Sequence, residues 1–272
     1  MRSPAIEEQR RRQEAIVAWL LSREEGSERV DTHASTLVLS GERVYKLKRA
    51  LDVGWMDFST LAKREAACRR ELELNARTAP GLYLGVEPVA KDGGAFALGG
   101  EGEPLEWLVV MRRFDEENRL DRLLAAGWLT PPLVDRLADR VAAFHAAAEV
   151  RRDGGGHAGL ARVARENARD LAAAADAVPP DVGAALAAGT EAALEAGRAL
   201  LELRREAGWV RRCHGDLHLA NIALWQGEPT LFDCIEFNEA IGTVDVLYDL
   251  AFLLMDLDHR GHGELAVEVV NA

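Results

Sequence analysis

The sequence predicts an α+β chain in two parts, a small β-rich part and then a larger helical one. Three observations carry this. Short β-prone runs at 36–39, 44–48, 83–89 and 105–111 crowd into the first part, each bounded by turn residues. Past Leu120 the composition turns alanine-rich and apolar residues recur at helical spacing, as at Leu137, Val141 and Phe144. Between the two, the apolar run at 105–111 gives way abruptly to Arg112-Arg113-Phe114-Asp115-Glu116-Glu117-Asn118. The expected organisation is an N-terminal helix within 1–30, a β-rich lobe at 31–111, a hinge at 112–118 and a helical lobe at 119–272.

With 272 residues, 48% of them hydrophobic, the chain can bury a sizeable core. A net charge of −12 argues against a nucleic-acid partner, which would call for a basic surface. Cys68, Cys213 and Cys234 form no C-x-x-C pair, and three thiols suit a reducing compartment better than a disulfide scaffold. No apolar segment follows Glu7-Glu8-Gln9-Arg10-Arg11-Arg12, so no signal peptide is read. No run approaches the roughly 20 apolar residues of a membrane span. The expectation is a cytoplasmic protein with neither nucleic-acid nor membrane partners.

Taken in order, residues 6–23 read as an amphipathic helix, with Ile16, Trp19 and Leu20 on its apolar side and Gly26-Ser27 ending it. A hairpin follows, with strands at 36–39 and 44–48 about the turn Ser40-Gly41-Glu42-Arg43. Side chains alternate on a strand, so Val44, Lys46 and Lys48 share a face. A lysine on a mostly buried strand needs a partner or an anion. The competing reading is two solvated lysines on an edge strand. A helix over 60–77, capped by Asp57 or Ser59, carries Glu65, Glu71 and Glu73 and stops before Pro80. The strands at 83–89 and 105–111 flank a glycine-rich loop at 92–102.

Pro131-Pro132 opens a helix that reaches His145, whose place on the apolar side suits a packed core histidine. Gly154-Gly155-Gly156 reads as a loop, and helices follow at 160–177 and 182–206, where strong helix propensity accounts for the composition. A further helix is entered after Ile241, with Asp245 and Asp249 as i, i+4 neighbours. An acid at the buried start of a helix takes backbone amides, so Asp249 is expected to brace a loop.

The chemistry concentrates in Cys213-His214-Gly215-Asp216-Leu217-His218-Leu219-Ala220-Asn221. Asn221 lies five positions after Asp216, the H-x-D-x-x-x-x-N spacing of kinase catalytic loops. Asp233 follows twelve positions later, on an expected short strand at 231–235. Phosphoryl transfer uses these residue types. Asp216 would orient the attacking hydroxyl and accept its proton, while Asn221 and Asp233 would hold magnesium on the nucleotide phosphates. His214 would support the loop.

Upstream, Lys46 is preferred to Lys48 as the phosphate-gripping lysine, because Val44, two residues before it, suits a base pocket. Glu71, ahead of Glu65, is the candidate partner on the helix. The backbone at Met111, Arg112 and Arg113 would meet the adenine edge. The fold expected is therefore a two-lobed protein-kinase-like one, with a small β-rich N-lobe, a helical C-lobe and the nucleotide between them. ATP or GTP and magnesium are the expected cofactors, and a small molecule bearing a hydroxyl is the expected acceptor.

Two rival readings stand beside this one. His214, Asp216 and His218 alternate as metal ligands on a strand would, which points to an iron- or zinc-dependent oxygenase or hydrolase. A non-catalytic kinase-like module, regulating a partner, would keep the fold without turnover. One more feature bears on the acceptor. From Cys213 to Asp258 there is no lysine or arginine, while Asp216, Glu228, Asp233, Glu236, Glu239, Asp245, Asp249, Asp256 and Asp258 fall in the stretch. A negative field of that kind favours an amine-bearing acceptor, such as an aminoglycoside.

His214-Gly215-Asp216, Asn221, Asp233 and Asp249-Leu250-Ala251 resemble the aminoglycoside phosphotransferase family. The chain is most similar to a bacterial subgroup often fused to a P-loop ATPase domain. The shared stretches are Val44-Tyr45-Lys46-Leu47-Lys48, Glu71-Leu72-Glu73-Leu74-Asn75, Tyr83-Leu84-Gly85-Val86 and Phe232-Asp233-Cys234-Ile235-Glu236-Phe237-Asn238. The resemblance implies Asp216 as catalytic residue, Asn221 and Asp233 as magnesium ligands, and Lys46 with Glu71 as the nucleotide clamp. It also implies a P-loop ATPase as a partner domain. The sequence carries no G-x-x-x-x-G-K-[ST] of its own, and it stops where the family adds further C-terminal helices, as a shortened member or a fragment would.

Overall fold

The computed structural model describes residues 4–100 and 102–272. In chain order the elements are α1 (Pro4–Ser22), β1 (Glu28–Asp31), β2 (Ser35–Ser40), β3 (Arg43–Lys48), α2 (Leu61–Ala76), β4 (Tyr83–Asp92), β5 (Ala95–Leu98), β6 (Glu106–Arg112), α3 (Leu120–Ala125) and α4 (Pro131–Ala147). There follow α5 (Gly156–Ala173), α6 (Pro180–Glu206), β7 (Val210–Arg212), β8 (Ile222–Trp225), β9 (Glu228–Leu231), α7 (Glu239–Gly242), β10 (Thr243–Asp245), α8 (Val246–His259) and α9 (Gly263–Asn271). The chain divides into two compact units. One runs to Leu137 and takes back His218–Asn238, and the other comprises Ala138–Leu217 and Glu239–Ala272. The class is α+β, with a β-rich first unit and a helical second one. No helix among the described residues is long and apolar enough to cross a membrane.

The first unit is built on an antiparallel sheet of order β1-β2-β3-β6-β4-β5. Its strand β3 is paired on both sides, with Lys46 opposite Leu37 of β2 and Val109 of β6. The lysines therefore do not lie on an edge strand. Period-2 alternation sends Tyr45 and Leu47 to one face of the sheet, where α1 covers them with Ile16, Val17 and Leu20. Each such fully buried side chain stabilises the fold by about 1.5–3 kcal/mol. Val44 goes to the opposite face with Leu39, Leu82, Tyr83 and Met111, beside Cys68 of α2.

A polar chain crosses the same layers. Gln13 of α1 donates to Glu106 and to the Lys48 carbonyl, both at 2.8 Å, and Arg64 of α2 donates to Glu106 at 2.8 Å. All three side chains are buried, so each would be costly to strand without its partners.

Two local expectations change here. The cap of α2 is Thr60, whose hydroxyl accepts from Lys63 N, because Asp57 is already engaged by Ser59 N and the Lys63 ammonium. The glycine-rich stretch at 92–102 is not a plain loop. Gly93 and Gly94 both take positive φ, 56° and 94°, which suits a tight hairpin turn, and β5 follows paired to β4.

In the second unit β7 pairs with β10 in antiparallel register, Arg212 opposite Thr243. The Arg212 guanidinium lies where a side chain at 242 would go, since a Cβ on Gly242 would fall 1.4 Å from Nη1, so a larger residue there would have to displace the Arg212 head group. Asp245 caps α8 by accepting from Leu247 N, and Arg204 of α6 grips both of its oxygens at 2.7 and 2.8 Å.

Candidate active site

In the first unit, β3 and α2 bring two lysines and a glutamate into one dry cluster. Lys46 is 7% exposed, Lys48 2% and Glu71 0%. Burying an ammonium costs several kcal/mol unless it is paired. Lys46 Nζ lies 2.8 Å from Glu71 Oε1 and 2.5 Å from Asp233 Oδ1. Lys48 takes the other Glu71 oxygen and a Glu236 oxygen. Glu65 points elsewhere and pairs with Arg69.

Two ammonium groups thus face three carboxylates, a formal excess of one negative charge. Such a cluster holds its protons tightly. Burial alone would lower Lys46, but the Asp233 and Glu71 carboxylates more than reverse this and hold it well above the usual lysine range. Lys48 is raised in the same way, with burial outweighed by Glu236 and Glu71. Both lysines are therefore charged at neutral pH. Burial also pushes up Glu236, and burial with the Glu71 and Asp233 charges pushes up Tyr83.

Asp233 is the member of this cluster open to solvent, with 41% of its side chain exposed. Its position departs from the expected strand, because β9 ends at Leu231 and Asp233 takes a left-handed backbone with φ 63°. Aspartate tolerates that conformation at modest cost. Two contacts fix it: Asp233 N donates to Tyr83 Oη at 3.1 Å, and Cys234 N donates to Asn75 Oδ1 at 3.0 Å. Asn221 stands at the same open end of the β8–β9 hairpin, just before β8, and its carbonyl accepts from Phe232 N at 3.0 Å. Its amide nitrogen lies 3.3 Å from His218 Nε2.

Val44 and Met111 are cross-strand neighbours in an apolar cluster that also touches Phe114 and Phe232. Those two rings meet edge-on at 5.4 Å. The N–H groups of Arg112 and Arg113 are already spent on Leu82 O and Glu42 O.

In the second unit the loop after β7 is held by Asp249 of α8. Asp249 Oδ1 accepts from Gly215 N at 2.7 Å, and Oδ2 accepts from His214 N at 3.2 Å and lies 2.9 Å from His145 Nε2. Burial would raise the Asp249 carboxyl, but these hydrogen bonds and the two histidines hold it below the usual range. His214 is buried, and its Nδ1 accepts from Asp216 N at 3.3 Å, which sets the backbone of Asp216. Gly215 has φ 88°, a left-handed conformation that glycine adopts without penalty.

His145, Cys213 and Asp249 lie close enough to suggest metal ligands. Each already has a partner, Cys213 Sγ donating to Val244 O at 3.5 Å, so the trio reads as a structural brace. The segment from 213 to 218 is irregular, not a strand, which removes the alternation behind the His–Asp–His metal reading. Sequence reasoning missed Asn75, Tyr83 and the Lys48–Glu236 pair. The one signal for them was Asn75, one helical turn after Glu71.

A buried lysine held by a helix glutamate, in a chain that also carries the H-x-D-x-x-x-x-N spacing at 214–221, is the residue set expected of a kinase-like phosphotransferase. Comparison with known proteins agrees: residues 47–272 match the phosphotransferase enzyme family, and the chain belongs to that family. It is 35% identical over 239 residues to uncharacterized proteins of Mycobacterium tuberculosis and Mycobacterium bovis, covering 86% of this chain and 46% of each relative. The chain thus spans about half the length of the curated relatives it matches. Among solved structures, a glucosamine kinase aligns at 21% identity and a TM-score of 0.44, over 94% of this chain and 65% of that one.

Proposed function

We propose that the protein transfers the γ-phosphoryl group of ATP or GTP to a hydroxyl of a small molecule. The observation that carries this is the Lys46–Glu71–Asp233 cluster, in which a buried, charged lysine is shared between a helix glutamate and an exposed aspartate. Lys46 would bind the phosphates, with Glu71 fixing its direction. Val44, Met111 and Phe232 offer an apolar wall for the base. Asp216 would orient the acceptor hydroxyl and take its proton as the oxygen bonds to phosphorus and the nucleoside diphosphate leaves.

The donor set fits magnesium: Asp233 and Asn221 supply hard oxygen atoms, and the cluster carries an excess negative charge. When bound, magnesium would neutralise the developing phosphate charge. A non-catalytic module would not need Asp216, Asn221 and Asp233 together. A P-loop ATPase partner, implied by the sequence resemblance, rests on that resemblance alone.

Asp233→Ala is expected to abolish magnesium-dependent binding of a non-hydrolysable ATP analogue, read by calorimetry, whereas His218→Ala weakens it by only a few-fold. Tight iron or zinc that is lost with His218→Ala would overturn the assignment.

The acceptor follows less directly. Most of the acids between Cys213 and Asp258 have basic partners outside that stretch: Arg136 for Glu228, Lys46 for Asp233, Lys48 for Glu236, Arg151 for Glu239, Arg204 for Asp245 and Arg260 for Asp256. The field on the acceptor is correspondingly reduced. An amine-bearing acceptor is expected to be preferred over matched neutral and acidic polyols by about tenfold or less at low salt, where such a field is least screened. A turnover screen in which the acidic members lead at low salt would remove the amine argument and leave the transfer reaction standing.

A further inference from the structure

Lys48 is a buried cation for which phosphoryl transfer gives no direct task. It is the more deeply buried of the two lysines, and its side chain joins Glu71 to Glu236. Its carbonyl accepts from Gln13 at 2.8 Å, and its ammonium stands 5.5 Å from the Phe58 ring centre. Glu236 follows Asp233 by three residues in a stretch without regular structure, and only 5% of its side chain is exposed. A buried ion pair is seldom the most stable filling for such a space, since apolar side chains of equal volume often do as well. What this pair supplies is position. It ties the far side of the Asp233 loop to β3, while Tyr83 Oη and Asn75 hold the near side. It also leaves Lys46 and Lys48 on opposite oxygens of one Glu71 carboxylate, so the orientation of that carboxylate depends on both.

We propose that Lys48 and Glu236 are positioning residues, which fix the loop carrying Asp233 so that the metal–nucleotide complex is bound. The inference rests on the phosphotransferase reading and specifies what that site needs beyond its direct ligands. In it, neither residue touches the nucleotide.

The test compares wild type with Glu236→Gln, Glu236→Asp, Lys48→Met and the Glu236→Gln/Lys48→Met double variant. Each is titrated with magnesium chloride at fixed non-hydrolysable ATP analogue. Glu236→Gln keeps size and shape while removing the charge, so it carries the decision if Lys48→Met does not fold. The expected result is an apparent magnesium affinity at least tenfold weaker for Glu236→Gln, with metal-free analogue binding unchanged within about twofold. Glu236→Asp should recover part of the loss. The double variant should be no weaker than the worse single one, as expected for residues acting as a pair.

A Glu236→Gln magnesium titration that overlays wild type overturns the proposal. So do additive losses in the double variant, or metal-free and metal-dependent binding falling together, which would mark a merely structural role. If wild type itself binds no magnesium–nucleotide complex, the phosphotransferase reading falls and takes this inference with it. If wild type binds and Glu236→Gln matches it, only this inference falls.

Discussion

Replacing Asp216 by Asn is expected to cut turnover by roughly 10²–10⁴-fold while nucleotide affinity stays within a few-fold, the pattern for losing a general base. Asparagine keeps the size of the side chain but cannot take a proton from the acceptor hydroxyl. The loop should survive the change, because its geometry comes from elsewhere. Asp249 holds the His214 and Gly215 amides, and His214 accepts from the Asp216 backbone N–H, which the substitution leaves in place. Steady-state kinetics against an identified acceptor, together with nucleotide binding, give the two readouts. Turnover equal to wild type would show that Asp216 is not the catalytic base.

The largest effect on stability is expected at Asp249. Asp249→Ala removes the acceptor for two backbone amides and the partner of His145, all in the buried interior. Stranding a buried, hydrogen-bonded charge network in this way costs about 3–5 kcal/mol, measurable by urea unfolding. The effect should also depend on pH. The folded-state carboxyl lies below its unfolded value of about 3.9, so its contribution is fully present above that pH and is lost as pH falls through the folded value. The stability gap between wild type and Asp249→Asn should therefore narrow below about pH 4. A gap that stays constant from pH 7 down to pH 3 would show that the buried charge is not its source.

What the sequence displayed and what it hid follow a physical division. Strand alternation put Val44, Lys46 and Lys48 on one face, and helical spacing put Glu71 on α2, because both signals act over a few residues. The candidate catalytic loop was legible because its residues lie at fixed short offsets. The partners that complete the site were not, because they meet only after folding. Lys48 and Glu236 are 188 residues apart, Tyr83 and Asp233 150, Asn75 and Cys234 159, and His145 and Asp249 104. No periodicity reaches across such separations. His145 is the buried histidine its apolar surroundings implied, but the sequence did not show that its ring is bonded to a carboxylate. β5 was hidden by the glycines that make its turn, and Asp233 by the habit of extending a strand to the end of an apolar run.

The family match begins at Leu47, inside β3. α1, β1 and β2 lie before it, yet α1 covers Leu47, Val89, Leu108 and Val110, and β2 is the neighbour of β3. A fragment cut at the family boundary would lose Lys46 with the first part of β3. It would also leave β6 without most of its partner on the β3 side and uncover a continuous apolar face. Open strand edges and large bare apolar patches are what draw chains together in solution. The N-terminal segment thus acts as a jacket over the apolar face of this sheet, and shortened versions for assay or crystallisation should keep it.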